Sequence, residues 1–459
     1  MARSADSYRA VAEAAWRWVL DQVRWDAGAW IPESVGGPEP VAVPEYRDNG
    51  MHSGLGGLAH VLAEIKLSRP WTAEEQTLAD AIAEQIRAAI AEEENYTFFD
   101  GLVSHIGVLT SLGVPGSDAA VERLLELAEP DGWPSSFADP DRYLPGARIN
   151  DMTLGTAGVL LGALWARRSG VEGSTRLAEQ AVTVLRAEAV SRPTGLDWPF
   201  IPERYLIEPR ASMPNLSHGL AGIAATLAIA GVELGRPELL AAALSGAEHL
   251  VTLTVSDSEG LLVPRLVPIR EDSDLDPVTY NWCHGPAGTS LLFAALQHAD
   301  VNDVAGESPV TWRRRCNHSV RMSGLPERLY PGFWDNDGRC CGTTGVADVL
   351  LDSWQSTGDQ VDLDFALSLA DTLVERAVRD EQHAYWQFIE HRDEVPLLPP
   401  GVGWMQGAAG IAAYLFRAAR VVEDGRTAAT ALRMENWWAA LSAPDLGGGE
   451  EGRGARAVG

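Results

Sequence analysis

The hydrophobic residues of this chain fall into two alternating kinds of segment, and both have the period of a helix. Residues 222–230 are apolar on nearly every side of a helix, which is typical of a helix buried in a protein core. Residues 176–186 and 363–374 instead place their apolar positions on one face. The pattern predicts an all-α protein in which buried inner helices alternate with amphipathic outer helices.

A glycine motif precedes the inner helices and reveals an internal repeat. The G-x-x-G pattern occurs at residues 54–57, 155–158, 219–222, 285–288, 342–345 and 407–410. A degenerate copy at 99–104 has Ser104 in place of the second glycine. Repeats of roughly 50 to 65 residues, each with two helices, predict an α/α toroid, which is a double ring of six or seven helical hairpins. The glycines would leave room for close approach of backbone segments where the inner helices begin.

The repeats extend through nearly the whole chain, and we therefore expect one domain over residues 1–445. The remaining segment, 446–459, is rich in glycine and has no apolar period. Such a composition predicts a disordered tail.

Composition narrows the classes of function. The 459 residues include 36 Lys and Arg against 64 Asp and Glu, and the net charge of −28 disfavours binding to nucleic acid. Four cysteines in this length do not make a disulfide framework. The first residues lack the basic and apolar regions of a signal peptide, and no apolar stretch reaches the roughly 18 residues of a membrane span. We therefore expect a soluble, cytoplasmic protein.

Chemically reactive residues stand just before several of the glycines. They are His52, Asp151, His218, Cys283, Cys340 and Cys341. If every glycine motif lies at the same end of the ring, these side chains converge on its central opening. Thiolates bind Zn²⁺, and a site with three protein ligands leaves its fourth position for water or substrate. We therefore predict a catalytic zinc site at the three cysteines, with Cys316, which lies outside any motif, as incidental.

Other interpretations of these residues remain open. Close packing alone would explain the glycines, and a hydrogen-bonded core histidine would explain His218. A glycosidase of the α/α-barrel type would use two carboxylates, such as Asp151 with Asp348 or Asp48, but would leave the cysteines unused. A non-catalytic peptide-binding scaffold with a structural zinc ion would need a fourth protein ligand, for which His284 is the candidate.

Four motifs resemble those of the lanthionine cyclase (LanC-like) family. They are the S-H-G element at 217–219, the W-C-x-G element at 282–285, Cys340-Cys341-Gly342, and the segment 403–410. The resemblance covers about residues 50–415. It implies an α/α toroid with a catalytic zinc ion. The implied activity is the closure of (methyl)lanthionine thioether rings, by Michael-type addition of cysteine thiols to dehydroalanine or dehydrobutyrine in a ribosomally made precursor peptide.

The resemblance also implies roles for individual residues. Cys283 and Cys340 would be zinc ligands, and Cys341 stands where many members have a third ligand, a histidine. His218 and Asp151 match the proton-transfer histidine and an acidic residue of the family's site. Thr279 stands where several members have an arginine, so either another cation such as Arg270 replaces it or the enolate is stabilised differently.

The expected chemistry follows from general properties of these groups. Zinc deprotonates a bound thiol, the thiolate attacks the β-carbon of the alkene, and a histidine delivers a proton to the α-carbon. Asp151 would hold the tautomer of His218 or take part in deprotonating the thiol. A third thiolate gives the protein-bound zinc unit a net charge of −1 instead of zero, so we expect faster and less site-restricted ring closure than in a Cys-Cys-His relative.

The remaining expectations concern partners. Loops at 133–134, 198–202 and 331–334 combine aromatic residues with prolines and are candidates for an apolar groove that holds the peptide. Packing of the outer helices is the simpler explanation of their tryptophans. No kinase-like or dehydratase-like segment is apparent, so a separate dehydratase or kinase/lyase would supply the dehydrated precursor peptide. Addition of a small thiol such as glutathione to dehydrated proteins is a further enzymatic alternative.

Overall fold

The computed structural model describes residues 3–26, 28–36, 48–135, 137–139, 141–269, 276–327, 336–389 and 397–440, and these residues are mainly helical. The helices are α1 (Ala5–Gln22), α2 (Leu58–Ser68), α3 (Ala73–Ala89), α4 (Leu102–Leu112), α5 (Ser117–Glu126), α6 (Thr156–Arg168), α7 (Ser174–Ala187), α8 (Leu220–Glu233), α9 (Pro237–Leu253), α10 (Pro286–His298), α11 (Pro309–Arg321), α12 (Thr343–Thr357), α13 (Gln360–Arg376), α14 (Ala408–Asp424) and α15 (Trp437–Ala440). Single turns of 3-10 helix lie at Leu55–Gly57, Ile90–Glu92, Glu203–Tyr205 and Gly425–Thr427.

The strands of the described residues form four short antiparallel pairs. They are β1 (Val190–Arg192) with β2 (Gly195–Asp197), β3 (Val255–Ser256) with β4 (Leu261–Leu262), β5 (Val378–Arg379) with β6 (Ala384–Tyr385), and β7 (Phe388–Ile389) with β8 (Leu397–Leu398). The first three pairs each follow an outer helix. The prediction of an all-α protein is therefore confirmed, since the strands only connect one helical hairpin to the next.

Contacts within the chain group it into two compact units. One comprises Met1–Ala89, Gly107–Gly116 and Asp335–Gly459, and the other comprises Ile90–Ile106 and Ser117–Trp334. We refer to them as unit 1 and unit 2. The single domain over 1–445 stays a prediction, and the tail expected at 446–459 lies outside the described residues.

Unit 2 shows the predicted alternation of inner and outer helices most clearly. Helix α8 is buried from Leu220 through Gly231, and it packs against its outer partner α9 and the neighbouring inner helices α6 and α10. Helix α7 buries one face through residues such as Leu177 and Leu185, while Glu179 and Arg186 are exposed. Buried apolar surface on every side holds α8 in place, whereas α7 needs only one apolar stripe.

Tryptophans stabilise the ends of several outer helices. The indole N–H of Trp198 donates to the Leu185 carbonyl near the end of α7 over 2.7 Å, and that of Trp133 donates to the Leu124 carbonyl in α5 over 2.8 Å. The last carbonyls of a helix have no partner within it, so these bonds satisfy groups that would otherwise be buried unpaired. Packing of the outer helices is therefore confirmed as the role of both side chains.

Unit 1 completes its last hairpin with a helix from the start of the chain. Helices α12 and α13 pair in sequence order, but α14 packs against α1. The buried face of α1 includes Tyr8, Trp16 and Val19. The repeat pattern gave no indication of this partner, because α1 precedes the first glycine motif.

A network of buried charges lies in the core of unit 1. Asp348 and Asp352 project from α12, and the guanidinium of Arg417 in α14 binds both carboxylates at 2.7 Å. Arg339 and Arg433 also bind Asp348. Burial alone would raise the pKa of the Asp348 carboxyl, but these three arginines together hold that pKa well below its usual range.

Two expectations about the whole chain can be compared with the structure. The four cysteines are all free, as the prediction of no disulfide framework requires. Among the described residues, no helix combines the length and the hydrophobicity that crossing a membrane would demand.

Candidate metal centre and proton-transfer residues

The loops before the inner helices of unit 2 share one hydrogen-bond pattern. An Asn or Asp four residues before the first glycine accepts the N–H of the residue just before that glycine. Asp151, Asn215 and Asn281 bind the N–H groups of Leu154, His218 and His284 in this way at 2.7, 2.8 and 3.0 Å. Each bond closes a tight turn. The turn fixes the direction of the side chains between the two positions.

Glycine is required at these positions because the backbone of each turn packs directly against the start of the helix and leaves no room for a side chain. A Cβ atom at Gly219 would lie 1.8 Å from the Met213 carbonyl oxygen, and one at Gly222 would lie 2.0 Å from that of Leu216. Both distances are far below van der Waals contact. Close backbone approach is therefore confirmed as the reason for the G-x-x-G motif.

His218 and Asp151, which come from consecutive loops, form a hydrogen-bonded pair. The Nδ1 atom of His218 lies 2.7 Å from Oδ2 of Asp151 and 3.0 Å from the hydroxyl of Thr153. Asp151 is fully buried, whereas the His218 side chain is 29% exposed. A carboxylate only accepts hydrogen bonds, so it favours a proton on Nδ1 of His218 and leaves Nε2 available for another partner. An imidazole paired with a carboxylate in this way is able to transfer a proton.

The surroundings of His218 include an open groove. The edge of Phe200 contacts the imidazole, with the ring centroids 5.8 Å apart. Phe200 also lines a groove of about 670 Å³ in unit 2, together with Tyr143, Leu206, Arg210, Met213 and Leu266. The predicted apolar groove at 198–202 thus has a counterpart beside the imidazole. The loop at 331–334 lies outside the described residues.

Cys283 lies on the loop next to His218. Its carbonyl oxygen accepts hydrogen bonds from the N–H of Ser217 at 3.0 Å and from the hydroxyl of Ser217 at 2.9 Å. These bonds fix the position of the Cys283 loop relative to the loop that carries His218. The thiol is nearly buried, and its Sγ atom lies 3.0 Å from Nδ1 of His284. The rings of His284 and His218 have centroids 5.5 Å apart.

Cys340 and Cys341 lie on the loop before α12. The N–H groups of Arg339 and Cys340 both donate to the Met405 carbonyl, at 2.7 and 2.9 Å, and the two sulfur atoms are 3.3 Å apart. The guanidinium of Arg339 extends into the buried charge network and stacks over Trp404 at 4.2 Å. The position of the loop is therefore fixed in two ways. Its backbone is bound to Met405, and the side chain of Arg339 is anchored in the charge network.

The three predicted zinc ligands form one cluster. The sulfur atoms of Cys283, Cys340 and Cys341 all lie within 4.8 Å of one another. Zinc with Zn–S bonds of about 2.3 Å in a tetrahedral shell would require sulfur atoms roughly 3.8 Å apart. The chemistry and the spacing of the three thiols therefore fit a zinc ion.

Other predicted residues are not brought into a site. Asp348 is bound by three arginines, which removes it from the carboxylate pair that a glycosidase requires. Cys316 is fully buried in α11, and burial raises the pKa of its thiol, so it is inert as expected. The imidazole of His52 is bonded to the Ser53 hydroxyl at 2.9 Å, and Thr279 is buried beside Asn281. Arg270 lies outside the described residues.

Three residues of the site were given no role from the sequence. Thr153, Ser217 and Asn281 each orient a loop or an imidazole through a hydrogen bond. The signal for Asn281 was present, because Asn215 and Asp151 occupy the same position relative to their glycines. Thr153 and Ser217 act across loops, and no repeat spacing marks them.

Comparison with known proteins supports this description. The sequence model of the family described as lanthionine synthetase C-like protein matches residues 45–424. No curated protein matches the chain at a significant level of similarity. Among solved structures, nisin cyclase is similar with a TM-score of 0.53 and 16% identity, over 84% of this chain and 94% of that one. Cellobiose 2-epimerase from Spirochaeta thermophila DSM 6192 is similar with a TM-score of 0.50 and 14% identity, over 91% and 96% of the two chains.

At such low identities the solved structures show the fold alone. They confirm the predicted fold class, an α/α toroid. The family match is stronger, because it extends over most of the chain. This protein belongs to the lanthionine synthetase C-like family.

Proposed function

We propose that this protein is a zinc-dependent cyclase that forms (methyl)lanthionine rings in a ribosomally made precursor peptide. The reaction would join a peptide cysteine to a dehydroalanine or dehydrobutyrine residue. The observation that carries the proposal is the cluster of three thiols, since neither a glycosidase nor an epimerase has a use for it. Family membership and the His218–Asp151 pair support the same chemistry.

Cys283, Cys340 and Cys341 would hold the zinc ion. Bound there, zinc would supply a thiolate at neutral pH by coordinating and deprotonating the peptide thiol. Three protein ligands leave one position for that thiol. A scaffold with a purely structural ion would need a fourth ligand from the chain, and such an ion would not exchange an added thiol.

His218 would complete the addition. The sulfur forms a bond to the β-carbon of the alkene, the π electrons move to the α-carbon and its carbonyl, and a proton must then reach the α-carbon. Overall, the S–H group adds across the double bond. Nε2 of His218 would donate that proton, because Nδ1 is committed to Asp151. Asp151 would stabilise the charged imidazolium before the transfer, and Thr153 would keep the two groups aligned.

The groove beside Phe200 would hold the peptide. Its wall is mainly apolar and includes Phe200, whose ring edge contacts the imidazole of His218. Arg210 stacks over Tyr143 at 5.5 Å on the same wall and offers a cation to the peptide backbone or an acidic side chain. The peptide would arrive already dehydrated by a separate dehydratase or kinase/lyase. Because both the enzyme and its substrate need reduced thiols, we propose a cytoplasmic location.

The proposal is tested with purified protein and a synthetic dehydrated peptide that carries one free cysteine. Mass spectrometry after thiol alkylation should show loss of the alkylatable thiol only when the protein is present, and elemental analysis should find about one zinc per chain. Cys340→Ala should lose the metal and the activity. Cys316→Ala is the control, since it removes a buried thiol outside the cluster.

Two results would contradict the proposal. One is a wild-type protein without bound metal. The other is a metal-loaded protein that never consumes the thiol and never exchanges an added thiol at its metal, which would identify a structural zinc ion in a scaffold.

A further inference from the structure

His284 stands immediately after one proposed zinc ligand and contacts its sulfur. Nδ1 of His284 is 3.0 Å from Sγ of Cys283. The N–H of His284 is bound to Asn281 at 3.0 Å, and the Oδ1 atom of Asn281 also lies 3.4 Å from the same sulfur. The turn therefore fixes both the cysteine and the imidazole that follows it.

The direction of this hydrogen bond follows from the chemistry of a ligand thiolate. A thiolate has no proton and can only accept, so Nδ1 must be the donor. The imidazole then carries a proton on Nδ1. Hydrogen bonds to a ligand atom are a common means of tuning a metal centre.

An all-cysteine site has a particular need for such a bond. Three thiolates and one divalent ion carry a net charge of −1, and the peptide thiolate would bring it to −2. Every sulfur around the ion then becomes more nucleophilic, including those of the protein. An enzyme that handles an electrophilic alkene must make the peptide sulfur react and keep its own ligands from reacting.

We propose that His284 is a positioning residue that donates a hydrogen bond to the Cys283 thiolate and so suppresses attack by that ligand on the substrate. The inference rests on the proposed zinc site and goes beyond it. The bond withdraws electron density from Cys283, and the incoming thiolate is left as the strongest nucleophile. Without the bond, Sγ of Cys283 would add to the β-carbon of dehydroalanine, the π electrons would take up a proton at the α-carbon, and the protein would be covalently linked to the peptide.

The experiment compares His284→Phe with His284→Asn. Phenylalanine keeps a ring but removes the donor, whereas the side-chain N–H of asparagine stands near the position of Nδ1. In cobalt-substituted protein, the sulfur-to-metal charge-transfer band should move to lower energy in His284→Phe and return towards the wild-type position in His284→Asn. In zinc protein, alkylation of Cys283 by iodoacetamide should be about 10-fold faster in His284→Phe, as expected for loss of a hydrogen bond to a charged group. Peptide mapping should also find a dehydroalanine adduct on Cys283 in this variant.

The outcomes separate this inference from the proposed function. A wild-type protein without metal would defeat both. A metal-loaded wild type whose band and alkylation rate are unchanged in His284→Phe would defeat the inference alone. Loss of metal, or a changed coordination number, in His284→Phe would also overturn it, because it would identify His284 as a ligand.

Discussion

Replacing Asp151 by asparagine tests the proton-transfer pair directly. In the native protein Oδ2 binds His218 Nδ1 and Oδ1 accepts the N–H of Leu154, both at 2.7 Å. Asparagine has the same shape, and its amide oxygen can still accept the bond from Leu154. Its NH₂ group must then face His218. Since that group donates and cannot accept, it removes the partner that stabilises the imidazolium.

The size of the effect follows from the bond that is lost. A hydrogen bond to a charged group contributes about 1.5–3 kcal/mol, which corresponds to a roughly 10- to 150-fold slower proton transfer. The defect should be smaller than that of His218→Ala, because loss of a general acid costs about 10²- to 10⁴-fold. Stability should change little, since the turn at Leu154 is retained.

The assay is the initial rate of ring closure on the dehydrated peptide, followed by mass spectrometry after alkylation of the remaining thiol. Asp197→Asn is the matched control, because Asp197 is also a buried acid of unit 2 but pairs with Arg192 instead of a histidine. It should cyclise at the wild-type rate. If Asp151→Asn closes rings as fast as the native protein, Asp151 does not assist His218 and the proposed pair is wrong.

Three further predictions concern the ligand set, the buried charges and a buried histidine. Cys341→His should keep its metal yet cyclise roughly 10-fold more slowly, as expected if the bound thiol loses about one pKa unit of basicity; an equal or higher rate would refute the charge argument. Arg417→Met should lower the free energy of unfolding, measured in urea, by about 3–5 kcal/mol, because it leaves two buried aspartates without one of their cations. Arg9→Met breaks only surface ion pairs and should lower the free energy of unfolding by less than about 1 kcal/mol. Both ring nitrogens of His105 are buried without a partner among the described residues, and burial lowers its pKa from 6.5 to about 4. As the pH falls, the unfolded chain thus binds this proton first, so this contribution to stability is complete above pH 6.5 and is lost towards pH 4. His105→Leu should make the fall shallower. His383→Leu should not, because the His383 ring is partly exposed and hydrogen bonds to Asp380 and Asp21 raise its pKa.

The repeat determined how much of the fold could be predicted from sequence. The apolar segment at 222–230 lies in α8, and the amphipathic segments at 176–186 and 363–374 lie in α7 and α13. These predictions succeeded because hydrophobic period and glycine spacing are local properties. The pairing of α14 with α1 could not be predicted in this way, since the two helices are far apart in sequence and α1 precedes the first copy of the repeat.

The candidate site could likewise be predicted only as far as local sequence patterns reveal it. Cysteines and histidines beside a glycine motif are visible in the sequence, and so His218, Cys283, Cys340 and Cys341 were all named in advance. Asp151 was also named, with two alternative roles, but its contact with His218 depends on two loops lying side by side, and no local pattern shows that. Likewise, nothing local in α12 indicates that Asp348 meets three arginines, two of which come from distant segments. Its sequence context alone therefore leaves it a candidate for glycosidase chemistry.

The partnership of α1 with α14 has a consequence for how the protein is made. The ribosome completes α1 nearly 400 residues before α14, which at typical elongation rates is an interval of roughly 20 to 80 s. Throughout that time the apolar face with Tyr8, Trp16 and Val19 lacks α14, the helix against which α1 packs most extensively. Nascent chains of this protein should therefore depend on chaperones until synthesis is nearly complete, and fragments truncated before α14 should aggregate.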